Sequence, residues 1–390
     1  MGKRILVLNE RDMHNPLAGG AEVHLFEVFG RLAARGHDVT LLAASFPGCE
    51  PEVEIDGIRV RRLVNRYAFY ALAPFVARRM ARAQRVDLVV DVLAKLPFLS
   101  PWFISSPCVP IAHHLFGTTA FQQVSFPIAL ITYLSEKLIP FAYRRCAVVA
   151  VSPSTREDLI ARGLDARHIS VVPNGIDHDL YSVLDTPRQE EPLLLWLGRV
   201  EPYKRLDLFL QAVVHVREKI PGIRAVIVGD GTAMADVRGL VARLGLDCVE
   251  LAGFVPSDRK VELLRQAQAL VNTSEKEGWG LTVLEGNACG AITVASDVPG
   301  LRDSVRDGRT GLLVKHGDVD QLSEVLIRVL SDHALRTELR EGALEWASRF
   351  TWDAVADDME GIIEAVAAGH SPETVRMTSS VFRDSSEPRV

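Results

Sequence analysis

Residues 275–290 read Glu-Lys-Glu-Gly-Trp-Gly-Leu-Thr-Val-Leu-Glu-Gly-Asn-Ala-Cys-Gly. Two carboxylates, Glu277 and Glu285, stand on either side of a glycine-rich turn that opens a predicted helix. Gly278 and Gly280 let the backbone approach a ligand closely, and the helix start offers unpaired N–H groups to an anion. Two acids around an anion-binding turn suit a sugar nucleotide, with its phosphates in the middle and a polyol at each end. An ordinary helix start with N-terminal acids has the same pattern, so this stretch alone leaves both interpretations open.

The size and composition of the chain indicate a two-domain globular protein. A length of 390 residues exceeds what one hydrophobic core usually serves. Hydrophobic residues make up 48% and charged residues 24%, which is ordinary for a globular protein. The net charge of −6 argues against a nucleic-acid partner, because a phosphate backbone requires a basic surface.

The cysteines and the apolar stretches indicate a cytoplasmic protein. The five cysteines are scattered and share no metal-like spacing, which is typical of reduced thiols. The first apolar run is too short for a signal peptide and predicts a buried strand instead. Residues 96–135 carry no Asp, Glu, Lys or Arg. Because prolines interrupt this stretch, it predicts buried strands and loops rather than a membrane-spanning helix.

Apolar strand-like runs alternate with amphipathic helical runs along the whole chain. This alternation predicts an α/β fold with two doubly wound domains, each a parallel sheet with helices on both faces. The predicted strands are Arg4–Leu8, Asp38–Ala43, Ile58–Leu63, Leu88–Val92, Val109–His113, Ala147–Val151, Ile169–Val172, Leu193–Gly198, Ala225–Gly229, Val249–Ala252, Ala269–Asn272, Ile292–Ala295 and Gly311–Val314.

A polar, proline-containing stretch divides the two domains. We expect an N-terminal domain over 1–184, a linker over 185–192 and a C-terminal domain over 193–348. A helix within 349–368 follows, and the Ser-, Pro- and charge-rich tail 369–390 is predicted to be disordered. Two doubly wound domains predict a site in a central cleft, facing the carboxyl ends of both sheets.

Two cations follow the first predicted strand of the second domain. Arg199 and Lys204 lie in the loop before a helix, where they can bind a diphosphate and stabilise a departing nucleoside diphosphate. A solvated loop with ordinary charges is the alternative. Farther along, the turn that contains Val255 offers backbone groups to a base.

The first domain has two weaker candidate sites. Gly19 and Gly20 precede the first predicted helix and permit close approach of a phosphate or sugar, although a flexible loop fits equally well. The chain has no G-x-G-x-x-G fingerprint, which argues against a nicotinamide enzyme. His113 and His114 follow a predicted strand, where a histidine can bind a sugar hydroxyl or orient an acceptor. Adjacent side chains on extended backbone point to opposite sides, which argues against a metal site.

Taken together, these motifs resemble the retaining glycosyltransferases of family 4, which have the GT-B fold. The resemblance rests on four motifs in order: Gly19-Gly20, Pro173-Asn-Gly-Ile-Asp177, Gly198-Arg199 with Lys204, and Glu277-Gly-Trp-Gly with Glu285. The last of these matches the E-x7-E motif of the family. Four motifs at suitable spacings cover nearly the whole chain and make a more specific signal than any one of them.

The resemblance assigns a role to each matching position. It implies that Arg199 and Lys204 bind the donor diphosphate, that Glu277 binds the hydroxyls of the transferred sugar and that Glu285 binds the ribose. Backbone groups of Gly278, Trp279, Gly280, Leu281 and Thr282 would contact the donor, together with Gly19 and Gly20. His113 matches the histidine near the reaction centre better than His114 does, which is not excluded.

The chain departs from the family pattern at two places. Glu285-Gly-Asn-Ala-Cys289 stands where the family often has Glu-Ala-Met-Ala, and Gly286 inside a helix predicts a small loss of stability. Pro299-Gly-Leu-Arg-Asp303 replaces the usual Gly-Gly turn. A further acid pair, Asp318 and Asp320, resembles a metal-binding pair but stands where a helix cap is expected.

The resemblance implies transfer of a hexose from a nucleoside-diphosphate sugar to a hydroxyl acceptor, with retention of configuration. We expect no cofactor and no metal, because the two cations and the backbone can neutralise the diphosphate. The alternatives are a sugar-nucleotide epimerase of the same fold and a non-catalytic sugar-nucleotide-binding protein. Product analysis separates the three.

The acceptor and the membrane are the remaining expectations. Apolar, Arg-flanked segments at Tyr67–Arg85 and Phe121–Arg145 favour a glycan or lipid-linked acceptor over a small polar one. Amphipathic surfaces with Arg on one side can also contact the cytoplasmic face of a membrane, although such helices more often cover the core. Peripheral membrane contact is therefore left open.

Overall fold

The computed structural model describes residues 2–93, 96–183 and 191–382. The chain forms two compact units, one of Met1–Gly175 with Trp352–Val390 and one of Ile176–Thr351. The first boundary falls before residue 184, because the backbone N–H of Ile176 donates to the Phe350 carbonyl at 3.1 Å within the second unit. Most of the predicted linker, residues 185–190, lies outside the described residues.

The first unit is built on an eight-stranded sheet. The strand order is β3-β4-β2-β1-β5-β6-β7-β8, and all neighbours are parallel except the β3–β4 pair. Most strands are continuous apolar runs, as expected for a sheet covered on both faces. The strands are β1 (Arg4–Leu8), β2 (Asp38–Ser45), β3 (Glu52–Ile55), β4 (Ile58–Asn65), β5 (Leu88–Leu93), β6 (Cys108–Ala112), β7 (Val148–Ala150) and β8 (Ile169–Val171).

In the part of the first unit that the structure describes, six α-helices precede residue 175. Phe69 and Ala77 of the helix Arg66–Ala83 pack with Leu6 and Leu8 of β1 in one core cluster, and Tyr143 and Leu159 belong to another. The helices are α1 (Gly20–Ala34), α2 (Arg66–Ala83), α3 (Ala120–Gln123), α4 (Phe126–Glu136), α5 (Ile139–Ala142) and α6 (Pro153–Ala161).

The second unit is a six-stranded, fully parallel sheet with the order β11-β10-β9-β12-β13-β14. Its main core packs Trp196 and Val271 of the sheet against Phe209 and Leu326 of two helices. The strands are β9 (Leu193–Leu197), β10 (Arg224–Val228), β11 (Val249–Gly253), β12 (Ala269–Asn272), β13 (Ile292–Ser296) and β14 (Gly311–Val314). The helices are α7 (Leu206–Lys219), α8 (Met234–Leu244), α9 (Ser257–Gln266), α10 (Leu281–Ala288), α11 (Leu301–Ser304), α12 (Val319–Ser331) and α13 (His333–Ala347).

The prediction of an α/β protein with two parallel-sheet domains is confirmed. The C-terminal helix α14 (Trp352–Ala367) belongs to the first unit and packs against α1. Ion pairs join the two helices, since Arg31 pairs with Asp353 at 2.7 Å and Arg35 with Glu360 at 2.5 Å.

Part of the tail that was predicted to be disordered is ordered. Residues 369–382 include a short helix, α15 (Pro372–Val375), and Thr378 forms a parallel bridge with Val171 at the end of β8. Val375 and Val381 are buried, so the segment covers apolar surface that composition alone does not reveal. Residues 383–390 lie outside the described residues.

The apolar stretch 96–135 was predicted to form buried strands and loops, and this is only half right. Cys108–Ala112 is a buried strand, whereas Phe126–Glu136 is the helix α4, whose large apolar side chains are exposed. Among the described residues, no helix is long and apolar enough to cross a membrane.

Candidate active site

The predicted donor residues of the second unit lie at one edge of its sheet. All six strands are parallel, so the loops after β9 and β12 leave the sheet at the same edge. These two strands are neighbours at the point where the strand order reverses direction. Open α/β sheets bind ligands in the crevice at such a point.

Lys204 and Glu277, predicted from separate motifs, form an ion pair there. Lys204 Nζ donates to Glu277 Oε1, and the Ser274 hydroxyl donates to the same oxygen at 2.8 Å. The two charged side chains are only 14% and 15% exposed. The structure therefore holds one cation and one carboxylate of the predicted site in direct contact.

Backbone and side-chain hydrogen bonds hold the two loops together around this pair. The Thr273 hydroxyl donates to the Lys204 carbonyl at 2.9 Å, and the Glu275 N–H donates to the Tyr203 carbonyl at 2.8 Å. Ser274 is fully buried, and its single hydroxyl proton is shared between Glu277 Oε1 and Asn272 Oδ1, which lies 2.7 Å away. The position of Lys204 relative to Glu277 is thus fixed from both strands.

The ion pair determines the charge state of Lys204. Burial is the largest single influence and lowers the pKa of this ammonium group, but the charge of Glu277, the Tyr203 side chain and the hydrogen bond to Glu277 together outweigh it, so that the pKa is raised. The nearby charge of Arg199 acts in the lowering direction. Lys204 is consequently a protonated cation at neutral pH.

Glu285 forms a second ion pair, with a lysine that the sequence analysis did not select. Lys260 of α9 donates to Glu285 Oε1 at 2.9 Å, and its Nζ lies 4.9 Å from the centre of the Tyr181 ring. Burial raises the pKa of the Tyr181 hydroxyl, and the charge of Glu285 raises it further. Glu285 therefore lies among a cation and a neutral phenol, a polar arrangement suited to a diol.

The glycine-rich turn between the two acids presses against a neighbouring turn. Gly280, with φ of 88°, precedes α10, whose first residues are Leu281 and Thr282. A Cβ atom on Gly300 would lie 2.3 Å from the Glu277 carbonyl oxygen, and φ of 83° also favours glycine there. Trp279 is buried and its ring lies 5.4 Å from that of Phe350. The turn at Pro299–Gly300, where the sequence departs from the family pattern, thus packs against the backbone of Glu277.

The other predicted residues of this unit lie at the same edge. Arg199 follows β9 and has an exposed side chain, and Val255 follows β11 and is half-buried. Phe254, next to it, is 89% exposed.

In the first unit, the double glycine is the start of α1. Gly19 is the N-cap residue, and its N–H donates to Glu22 Oε2 at 2.7 Å. Asn9 Nδ2 donates to the other oxygen of Glu22 at 3.1 Å. Burial raises the pKa of Glu22 in spite of the opposing charge of Arg11. Gly20 is the first residue of the helix, so both glycines lie where the prediction required.

His113 lies beside a second buried histidine, His24 of α1. The ring centres are 4.9 Å apart in an edge-to-face arrangement, and His113 is 8% exposed. Burial lowers the pKa of His24 to about 4, and burial together with the charges of His24 and His114 lowers the pKa of His113. Within the described residues, both Nε2 atoms are buried without a hydrogen-bond partner. Both rings are therefore neutral at physiological pH.

Among the residues that the structure describes, two groups of histidine and acid residues, both away from the candidate-site loops, have side-chain atoms close enough together for a metal ion. In the first, His37 Nδ1 already accepts from the Lys3 N–H, and Glu360 pairs with Arg35. In the second, comprising Asp165, His168 and Glu373, both acids pair with Arg167, at 2.7 and 3.0 Å. Asp318, considered above as a metal ligand, caps α12 through the Gln321 N–H.

Four residues of these clusters were not among the predicted site residues: Lys260, Tyr181, Glu22 and His24. Glu22 stands three residues after the N-cap, which is the position of a capping-box acid and was a readable signal. Lys260, Tyr181 and His24 carry no local signal, because their partners lie 25 or more residues away in the sequence.

Two family models together cover most of the chain. Residues 18–180 match the model described as "Glycosyltransferase Family 4", and residues 185–346 match "Glycosyl transferases group 1". The D-inositol 3-phosphate glycosyltransferase of Acidothermus cellulolyticus is 29% identical over 93% of this chain and 90% of its own.

Solved structures of the GT-B type share the fold. A sucrose-phosphate synthase from Thermosynechococcus elongatus superposes with a TM-score of 0.79 at 21% identity, over 94% of this chain and all of its own. Anabaena HepE in complex with UDP and glucose gives 0.76 at 22% identity, over 93% of this chain and all of its own. At these identities the likeness establishes the architecture alone.

Proposed function

Because the chain belongs to glycosyltransferase family 4, we propose that it transfers a hexose from a UDP- or GDP-linked sugar to a hydroxyl acceptor, with retention of anomeric configuration. The observation that carries this proposal is the pair of neighbouring ion pairs, Lys204–Glu277 and Lys260–Glu285. They place a cation and a carboxylate at each end of the glycine-rich turn.

Each group of this cluster has a role in the proposed reaction. Lys204, protonated and largely buried, would neutralise the charge that builds on the departing diphosphate, with Arg199 as a second cation. Glu277 would then exchange part of its bond with Lys204 for hydroxyls of the sugar, and Glu285 would accept hydrogen bonds from the ribose. Two preorganised cations make a divalent metal unnecessary in this proposal.

Retention in the proposed chemistry comes from attack on the same face that the diphosphate leaves, without a covalent enzyme intermediate. The acceptor oxygen attacks the anomeric carbon on the face that the diphosphate leaves, and the C–O bond to the diphosphate breaks. The departing phosphate oxygen takes the acceptor proton. Neutral His113 can accept or donate a hydrogen bond to a hydroxyl without adding charge beside the reacting sugar.

The donor and acceptor are proposed from the relatives. The structural neighbour HepE is described with UDP, which favours a UDP-sugar donor. The relatives named for D-inositol 3-phosphate make that compound one acceptor to test, beside glycan and lipid-linked saccharide precursors. We place the enzyme in the cytoplasm, with peripheral contact at the inner face of the membrane.

A thermal-shift series with UDP, GDP, ADP and their sugar conjugates, in EDTA, tests the donor site. Binding to the native state raises Tm by an amount set by ligand concentration over Kd. We expect a shift with one nucleotide series. No shift with any of them, in folded protein, would refute the assignment of Lys204 and Glu277, and a shift that requires added Mg²⁺ or Mn²⁺ would refute metal independence.

Product analysis tests the reaction. With the binding nucleotide sugar and an acceptor, proton NMR of the product should show the donor's anomeric configuration. An inverted product would contradict the front-side mechanism. Free epimerised sugar without acceptor would indicate an epimerase, and binding without turnover of any acceptor would indicate a sugar-nucleotide-binding protein.

A further inference from the structure

The helix α4 (Phe126–Glu136) has its polarity inverted relative to an ordinary surface helix. It buries Ala129, Thr132 and Glu136, which are small or polar. It exposes large apolar side chains instead, namely Phe126, Ile128, Leu130, Ile131 and Leu134. A water-soluble surface helix has the opposite arrangement, so the exposed face of α4 is suited to an apolar environment.

Further large apolar side chains are exposed on other elements of the same unit. Leu138, just before α5, and Phe141, on α5, are exposed. The helix α5 contacts the turn Ser100–Trp102, in which Trp102 is 53% exposed. Phe98, just before that turn, stacks on Tyr70 of α2 at 5.4 Å. On α2, Tyr67, Leu72 and Phe75 are exposed. We call this set of exposed side chains on α2, Ser100–Trp102, α4 and α5 the apolar belt.

The exposed charges on the helices of the belt and on the residues just after α5 are positive. Arg78, Arg79 and Arg82 of α2 line a shallow depression of about 450 Å³ together with Phe75. Lys137, Arg144 and Arg145 are the exposed charged residues within 126–145. The one acid of that segment, Glu136, is buried and accepts from Arg162 at 2.9 Å and from backbone N–H groups.

This combination fits an anionic bilayer better than a second copy of the chain. A two-fold contact through the belt would bring identical basic groups close together across the interface, and like charges there cost binding energy. An anionic lipid surface attracts each Lys or Arg by about 1 kcal/mol and accepts apolar side chains at the depth of the acyl chains. Because no helix of the described residues can span the membrane, the belt would lie in the interface.

We propose that the apolar belt inserts into the interface of a membrane that contains anionic lipids, with α4 as the inserted helix and the arginines of α2 on lipid phosphates. This inference rests on the membrane location proposed above and identifies the surface responsible. It requires nothing of the donor residues in the second unit. The two proposals can therefore fail separately.

The distribution of tryptophan makes insertion directly measurable. Of the five tryptophans in the sequence, Trp196, Trp279, Trp346 and Trp352 are buried, so Trp102 alone is exposed on the belt. Vesicles of dibrominated phosphatidylcholine with 30% phosphatidylglycerol quench only tryptophans that reach the acyl chains. We expect quenching in the wild type and its loss in W102F, which still sediments with the vesicles.

A matched pair of double variants assigns the binding to α4. I131D/L134D places two acids on the belt, and L180D/V183D makes the same exchange at exposed positions of the second unit. We expect vesicle affinity to fall at least about tenfold in the first and to stay unchanged in the second, because buried apolar area supplies the binding energy. R78Q/R79Q/R82Q should lose affinity for phosphatidylglycerol vesicles only.

Three outcomes would overturn the proposal. The first is the absence of binding to anionic vesicles by folded wild-type protein, and the second is equal binding by wild type and I131D/L134D. The third is a concentration-dependent dimer that I131D/L134D abolishes, which would assign the belt to a second copy. A UDP-sugar thermal shift on the same preparations, without vesicles, tests the donor site independently.

Discussion

The candidate-site residues of the two units carry charge in opposite ways. In the second unit, Lys204–Glu277 and Lys260–Glu285 keep full charges, and each charge has a partner at the carboxyl edge of the sheet. In the first unit, His24 and His113 contact each other with no charge at all, because burial lowers the pKa of both. The lysine–glutamate pairs of the second unit therefore keep buried charges, whereas the histidine pair of the first unit is uncharged.

In the proposed reaction, this difference matches the places where charge would develop. A departing diphosphate gains negative charge, and a paired lysine can neutralise this charge by changing its ionic partner, without reorganisation of solvent. A hydroxyl acceptor stays neutral until it attacks, and a neutral imidazole binds it without repelling the positive charge that develops on the sugar. Variants that exchange these properties test the comparison.

The largest effect is expected for Lys204→Ala. Removing the cation leaves Glu277 without its ionic partner and the diphosphate without its buried counter-charge, so turnover should fall by about 10²- to 10³-fold, as for loss of one oxyanion donor. The measurement is kcat with the binding nucleotide sugar. Lys219→Ala, on an exposed lysine of α7, is the control. Near-normal kcat in the folded Lys204→Ala protein would end the assignment of this site.

His113→Asn should have a smaller effect that is confined to the acceptor step. We expect kcat to fall about 10- to 100-fold, the lower range for a lost polar group in a reaction centre, while the nucleotide-induced shift in Tm is unchanged. His114→Asn is the matched control, since His114 contacts Phe116 instead of His24. The opposite result, with His114→Asn impaired and His113→Asn normal, would move the assignment to His114.

The neutral histidines should also make the protein sensitive to acid. The pKa of His24 is about 4 in the folded state, against about 6.5 in an unfolded chain. The unfolded state therefore takes up a proton first, and stability falls as pH drops below 6.5 and continues to fall down to pH 4. At pH 4.5 the loss from His24 is on the order of 2 kcal/mol. His113 acts in the same direction, and the raised pKa of Glu22 acts against it.

Urea denaturation at pH 7 and pH 4.5 measures this loss. His24→Phe keeps an aromatic ring beside His113 and Trp352 but cannot titrate, so its stability should change less with pH than that of the wild type. His333→Phe, on an exposed histidine of α13, should behave as the wild type. Parallel pH profiles of wild type and His24→Phe would show that His24 is not the titrating group.

The strands were predictable because a buried parallel strand leaves a continuous apolar run, and Leu193–Leu197 is one. The hairpin formed by Glu52–Ile55 and β4 was missed, although its polar–apolar alternation before Asp56-Gly57 is a readable hairpin signal. The helix α4 was misjudged for a deeper reason. An apolar sequence predicts that its side chains are removed from water. It does not indicate whether the rest of the protein or another molecule buries them.

The residues of the candidate site could be proposed from the sequence where a motif is local. Glu277 and Glu285 are in one short segment, and the glycines between them mark a turn. Lys260 was not predictable, because an exposed-looking lysine on α9 becomes a site residue only when the fold places it 2.9 Å from Glu285. His24 could not be predicted either, because its contact with His113 exists only in the folded unit.

The smallest expected effect concerns Gly286, which helix propensity alone treats as a weakness. Replacing a helical glycine by alanine usually gains up to about 1 kcal/mol. Here a Cβ atom would lie 2.7 Å from Leu270 Cδ2, because α10 packs closely on β12 behind the two acids. We therefore expect Gly286→Ala to destabilise the protein by about 1 kcal/mol, as overpacking does, in urea denaturation. Gly239→Ala, in α8, should stabilise the protein, because a Cβ atom there would have no other atom within 4 Å. An equal gain in the free energy of unfolding in both variants would show that the Leu270 side chain moves aside without cost.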